Sequence, residues 1–273
     1  MTKNIVYLHM QNTVAIIGGG NLGTAIAEGL IDGKFCKPSE LVITRRNTAP
    51  LSSLKEKGVQ VSDDNAGAVK RSRTVILAVK PFQIKEVVQQ IRNELTPGHL
   101  LVSVVTGVSI KEIEAVSGPG IPVFRAMPNT AIAIRESVTC ISHSNADESQ
   151  IKQVYALFSQ LGKVVAIEEK LMDAATVLAA CGTAFAMRFI RANIQGGIEI
   201  GFDAATASLI AAQTIKGAAE LLLVKGTHPE YEIDKVTTPK GCTIAGLNEM
   251  EHRGFSSSLI KGVVASYNKI LKS

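Results

Sequence analysis

Residues 13–17, Thr-Val-Ala-Ile-Ile, run directly into Gly18-Gly19-Gly20-Asn21-Leu22-Gly23, after which Leu22, Ile26, Leu30 and Ile31 recur at helical spacing. A short apolar run with β-branched residues reads as a buried strand. The glycines then divide the work of a tight turn. Gly18 makes the bend, Gly20 lets backbone approach a pyrophosphate, and Gly23 lets helix and strand pack closely. After Gly33 and Pro38, residues 41–44, Leu-Val-Ile-Thr, form a second strand. Glycine-rich turns are common, but strand, G-x-G-x-x-G, helix and strand in that order is the context a dinucleotide site requires.

The alternation continues. Residues 74–79, 100–105 and 123–126 are strand-like, and residues 138–141 and 163–167 finish the series with a helix over 148–161 between them. Strands interleaved with helices predict a parallel, doubly wound Rossmann-type sheet over residues 1–168, with helices on both faces. Ligands of such sheets lie at the carboxyl ends of the strands. Residues 18–23, 45–46, 78–81, 106–107 and 127–129 all fall there. An NAD site places Asp or Glu at the end of the second strand, about 20 residues beyond the glycines. Here Thr44-Arg45-Arg46-Asn47 stands instead. Two guanidinium groups attract a 2′-phosphate and offer adenine a stacking surface, which favours NADP over NAD.

Beyond Glu168 the strand-like runs stop. Residues 170–195 place Leu171, Ala174, Leu178, Cys181, Phe185 and Phe189 on one broad side, and Asp203 reads as the N-cap of a helix over 204–224. Both patterns are apolar around most of their circumference, so residues 169–273 are expected to form an all-helical domain. About 100 residues offer little interior for such helices. A second subunit interleaving with them solves this, giving a homodimer. One helix buried centrally in its own domain satisfies the same periodicity.

Composition narrows the functions. With 46% hydrophobic and 19% charged residues the chain is globular rather than disordered. A net charge of +5 suits a phosphate-bearing small molecule, and the densest basic cluster, Lys70, Arg71 and Arg73, is too small for a nucleic-acid track. The four cysteines contain no Cys-x-x-Cys pair and the five histidines are scattered, so no metal site is expected. Residues 1–11 lack the apolar core of a signal peptide. No unbroken apolar run approaches the roughly 20 residues of a membrane span; residues 177–187 come closest. A cytoplasmic protein that meets neither nucleic acid nor membrane is the expectation.

One segment stands apart. In residues 236–247, Val-Thr-Thr-Pro-Lys-Gly-Cys-Thr-Ile-Ala-Gly-Leu, Pro239 and Gly241 mark a turn, and Ile244, Ala245, Leu247 and Met250 predict a helix from Cys242 or Thr243. Unpaired N–H groups, a hydroxyl and the positive end of a helix dipole then converge, which suits a small carboxylate. Alone, the segment reads better as a capped helix start, with Thr243 satisfying a backbone N–H. His252, between Glu251 and Arg253, reads as a surface residue.

Together with residues 18–23, Ala78-Val79-Lys80-Pro81, Arg125-Ala126-Met127-Pro128-Asn129-Thr130, Met172-Asp173 and His228-Pro229, this segment closely resembles the pyrroline-5-carboxylate reductases. The resemblance runs from Thr13 to about Asn268. It implies NADPH-dependent reduction of 1-pyrroline-5-carboxylate to L-proline, the final step of proline biosynthesis. It also implies a helical dimerisation domain and assembly of dimers into larger rings. Residue by residue, it gives Gly18, Gly20, Asn21, Leu22, Arg46, Asn65, Ala78, Val79 and Lys80 to the dinucleotide. Gly23 and Arg45 join them from the motif itself. Thr106 matches the nicotinamide end. Glu169, Cys242 and Thr243 match the imino-acid pocket, with Gly241 beside them and Thr243 as the catalytic candidate. The family's Ser-Gly-Ser-Gly-Pro-Ala-Tyr is here Ala179-Ala180-Cys181-Gly182-Thr183-Ala184-Phe185, and its second glycine pair is Lys240-Gly241. Another NADP-linked imine or hydroxyacid reductase would share the N-terminal half. A regulatory relative that binds NADPH without catalysis would share both halves.

Overall fold

The computed structural model describes residues 13–272, so the expectation for residues 1–11 lies outside it. The chain forms two compact units, residues 1–180 and 181–273. The first is built on an eight-stranded sheet of order β3-β2-β1-β4-β5-β6-β7-β8. Its strands are β1 (Val14–Ile17), β2 (Leu41–Thr44), β3 (Gln60–Ser62), β4 (Thr74–Leu77), β5 (Leu100–Ser103), β6 (Val123–Met127), β7 (Ser137–Ser144) and β8 (Gly162–Ala166). Helices α1 (Asn21–Asp32), α2 (Asn65–Lys70), α3 (Ile84–Ile91), α4 (Ile110–Ser117) and α5 (Glu148–Ser159) connect them.

Alternation along the strands builds two cores. Val14 and Ile16 of β1 join α1 and α5 through Ile26, Leu30, Leu157 and Phe158 on one face. Ala15 and Ile17 join α2, α3 and α4 through Val69, Val88, Ile110 and Ile113 on the other. Every residue of β1, β2, β4, β5 and β6 is buried. Burying each aliphatic side chain contributes roughly 1.5–3 kcal/mol, which is what a two-layered sheet can extract from period-two alternation.

Three features depart from the sequence expectation. The sheet is not wholly parallel, because β6 and β7 pair antiparallel with Arg125 opposite Ser142. A parallel crossover takes a dozen or more residues, and residues 128–136 supply only a 3₁₀ turn, Thr130–Ile134. Strand β3 is not foreseen: three residues, two of them polar, carry no apolar run. Strands β4 and β5 also end two residues early, and Ala78, Val79, Val104 and Val105 leave the ladder at the carboxyl ends.

The second unit is helical: α6 (Gly182–Glu199), α7 (Ala204–Lys225), α8 (Pro229–Lys235), α9 (Cys242–His252) and α10 (Phe255–Ile270). Ahead of α6, Met172–Ala175 is α-helical and Thr176–Cys181 π-helical. The helical pattern expected over 170–195 runs on through Gly196-Gly197 to Glu199. A Cβ on Gly197 would lie 3.2 Å from Ala207 Cβ, so this glycine serves close packing of α6 on α7. The reversal comes at Gly201, φ +112°. Asp203 caps α7 as expected, its carboxylate accepting from Ala205 and Thr206 N–H. By length and composition, the helical runs Glu169–Glu199 and Ala204–Lys225 could each cross a membrane, with mean hydropathy 1.3 and 1.4. Polar residues interrupt both, which is why a count of unbroken apolar runs passes over them.

Candidate functional site

The glycine turn is shaped by contacts that forbid a side chain. Gly18, at φ +117°, would place a Cβ 2.4 Å from Ala78 O, and Gly23 would place one 2.1 Å from Gly18 O. Gly18 and Gly19 N–H donate to Thr44 O at 3.1 and 2.8 Å, pinning the turn to the end of β2. Gly20 differs, because nothing lies within 4 Å of its Cβ position. It is the N-cap of α1, and no side chain caps that helix. The first-turn N–H groups have no intrahelical partner and face the open side, as an anion site needs.

This turn forms one wall of a cleft of about 960 Å³. Gly18, Gly20, Asn21, Leu22, Arg45, Arg46, Asn65, Ala78, Val79, Lys80 and Thr106 all line it. Gly23 does not; its part is the helix–strand contact. Arg45 Nη1 donates to Gly19 O at 2.9 Å, so one arginine braces the glycine turn. Arg46 is exposed at the cleft. Thr44 Oγ1 donates to Asn65 Oδ1 at 2.6 Å, and Asn65 Nδ2 to Gln90 Oε1 at 3.1 Å. Gln90, Glu86, Gln83 and Asp63 also line the cleft, and no local pattern points to them. An open Gly20, an uncapped helix start and two arginines at the end of β2 fit the pyrophosphate and 2′-phosphate of NADP.

At the opposite end, residues 104–109 connect β5 to α4. Ser109 and Glu112 form a reciprocal cap. Hydrogen bonds from Ser109 N–H and hydroxyl hold the Glu112 carboxyl below its ordinary range. Glu169 Oε1 accepts from Ile110 N–H at 2.6 Å and lies 3.5 Å from Arg125 Nη1.

In the helical unit, Gly241 N–H donates to Thr238 O at 2.9 Å. Pro239 occupies the second position of this turn and Lys240, at φ +60°, the third, which makes it type II. A Cβ on Gly241 would lie 2.5 Å from Thr238 Oγ1. The turn delivers Gly241 as N-cap of α9, with no side-chain cap, so the helix starts at Cys242 as expected. Cys242 is exposed and Thr243 half-buried. Among the described residues no group of three or more His, Cys, Asp or Glu could hold a metal ion. His252 is exposed.

Residues 169–272 match the family model described as pyrroline-5-carboxylate reductase dimerisation, and residues 13–107 one described as NADP oxidoreductase coenzyme F420-dependent. The chain is 42% identical to pyrroline-5-carboxylate reductase 2 of Dictyostelium discoideum, covering 97% of this chain and 94% of that one. The chain belongs to the pyrroline-5-carboxylate reductase family. It is 47% identical to pyrroline-5-carboxylate reductase 1 of the same organism over 95% of its own length, and spans about half of that relative, 49%. A solved pyrroline carboxylate reductase of Plasmodium falciparum, with NADP bound, superposes with a TM-score of 0.86 at 25% identity, covering 96% of this chain and 97% of that one. The family assignment agrees with both halves of the fold, a Rossmann-type sheet and a helical dimerisation region.

Proposed function

We propose that the protein reduces 1-pyrroline-5-carboxylate to L-proline with NADPH, the final step of proline biosynthesis. One observation carries this: a type II turn sets Gly241–Thr243 at an uncapped helix start, in a chain whose first unit holds a cleft fitted to NADP. The dinucleotide, when bound, supplies the hydride. A protonated cyclic imine is already electrophilic at carbon, so the chain has mainly to align the ring and exclude water. The N–H groups of Cys242 and Thr243, in the first turn of α9, hold the substrate carboxylate, as a helix N-terminus favours. The Thr243 hydroxyl orients the ring nitrogen, whose proton comes from solvent or through ordered water. Cys242 is a pocket wall, since imine reduction needs no covalent step. For Glu169, which the resemblance gives to the same pocket, the bond from Ile110 N–H supports a role in holding the start of α4.

Arg46 and Arg45 give the preference for NADPH over NADH. The functional boundary is taken at residue 169, with 169–273 as the helical subunit-contact domain. A second copy covers the apolar helices, and such dimers assemble into a larger ring. The cytoplasm suits four cysteines that include buried Cys36, whose thiol burial and Glu40 push up to about 11.

Adding 1-pyrroline-5-carboxylate to purified protein and NADPH, and following nicotinamide absorbance, tests the reaction; substrate-dependent oxidation is expected, slower with NADH. An ångström of misplacement can cost about a hundredfold in rate. Thr243→Ala is therefore expected to cut turnover far more than it lowers the melting temperature. Unchanged kinetics in that variant would remove Thr243 from the mechanism.

A further inference from the structure

Two groups that stand out in the sequence, Arg125 and the Met172-Asp173 pair, do not line the cleft. They meet in one cluster. Arg125 lies within β6 on the face that carries α4, and its side chain is 6% exposed. A guanidinium this buried stays charged and must be paired. Nη1 lies 3.5 Å from Glu169 Oε1 and Nη2 lies 3.5 Å from Asp173 Oδ1, so it has two counterions, each about one-third exposed.

Glu169 Oε1 carries a second load, the 2.6 Å hydrogen bond from Ile110 N–H. Ile110 is the first residue of α4, directly after the 104–109 connection. At its other end this connection is held by Val104 N–H donating to Leu77 O at 3.1 Å. Thr106, at the cleft wall, thus sits on a span fixed upstream by the sheet and downstream by Glu169. Asp173 balances the charge of the guanidinium, and the guanidinium keeps the Glu169 carboxylate aimed at Ile110 N–H.

We propose that Glu169, held by Arg125, is a positioning residue that fixes the connection carrying Thr106. It thereby sets the height of the nicotinamide end of the cleft. The effect on turnover rests on the reductase activity proposed above; the effect on the connection does not. A glutamine at 169 still accepts from Ile110 N–H, whereas an alanine does not.

The test compares Glu169→Ala, Glu169→Gln and Arg125→Lys in the full-length protein. In Glu169→Ala, faster amide exchange over residues 104–113 and a kcat lowered about tenfold or more are expected. Affinity for 2′,5′-ADP, a probe of the adenine half alone, should stay within about twofold. Glu169→Gln should keep the protection, with exchange over these residues within about threefold of the wild type. Arg125→Lys cannot bridge both carboxylates and should raise exchange over the same residues. Unchanged exchange in Glu169→Ala and Arg125→Lys overturns the proposal. So does an equal rise in KM for the imino acid in Glu169→Gln and Glu169→Ala with exchange unchanged, which would make Glu169 a direct substrate ligand. If the wild-type protein does not oxidise NADPH with this substrate, the proposed reaction fails while amide exchange still decides on the clamp.

Discussion

The two units bury their apolar residues to very different extents. In the sheet unit every position of β1, β2, β4, β5 and β6 is buried, and only β3, β8 and part of β7 at the edges meet solvent. Beyond residue 180, the only fully buried hydrophobic residues among those described are Ala207 and Ala211. The helical unit is no poorer in apolar side chains, yet Leu209 is 71% exposed, Leu223 69% and Ile260 62%. A sheet with helices on both faces closes its core within one chain. Long helices apolar around most of their surface do not, and these contribute their hydrophobic free energy only when another surface covers them. The dimerisation model matched by residues 169–272 makes a second copy the natural cover.

The strongest way to break this contrast is Leu223→Glu. A charge on an apolar face that a second copy covers costs about 2 kcal/mol or more, so dissociation to monomer and a loss of activity of about thirtyfold are expected. Light scattering reads the first and the absorbance assay the second. A dimer of normal activity would mean that another face is covered. Next comes a pair within the sheet unit. Gly23→Ala forces a Cβ against backbone oxygen and should destabilise by about 3 kcal/mol. Gly20→Ala, pointing into open space, should leave the melting temperature unchanged and weaken NADPH binding. Equal losses of stability in both would refute the division between packing and ligand glycines. The smallest effect falls on the substrate turn. Lys240 has a left-handed conformation that costs about 1–2 kcal/mol for a side chain, partly offset in glycine by entropy. Lys240→Gly should therefore raise stability by up to about 1 kcal/mol in thermal unfolding, and an unfavourable change would show that the lysine makes a compensating contact.

How much of this was legible depended on distance along the chain. β1, β2 and the glycine turn carry their own patterns, since β-branched runs and a G-x-G-x-x-G are local signals, and the start of α9 at Cys242 followed from Pro239 and Gly241. The glycine-turn and Arg45–Arg46 parts of the cleft lining were legible for the same reason, whereas Asn65 came only with the family resemblance. The reversal at β7 was not, because pairing direction depends on what residues 128–136 can span. Nor was the hydrogen bond between Glu169 and Ile110, whose partners lie 59 residues apart and share no motif. The π-helical turn at Thr176–Cys181 also escaped, since its residues read as ordinary helix formers. The Asp63, Glu86 and Gln90 side chains reach the cleft from two segments, the turn before α2 and helix α3, and announce nothing individually.

The Glu169–Ile110 bond also has a consequence for the order of events in folding. The glycine turn is secured by contacts to β2 and β4, all made by the first 80 residues. The amino end of α4 waits for a partner 59 positions further on, which arrives only when β8 has docked on β7 at the sheet edge. Closing so long a loop is slow relative to local turns. During synthesis, therefore, the glycine-turn wall of the cleft can form before the 104–109 wall, whose far end waits for Glu169.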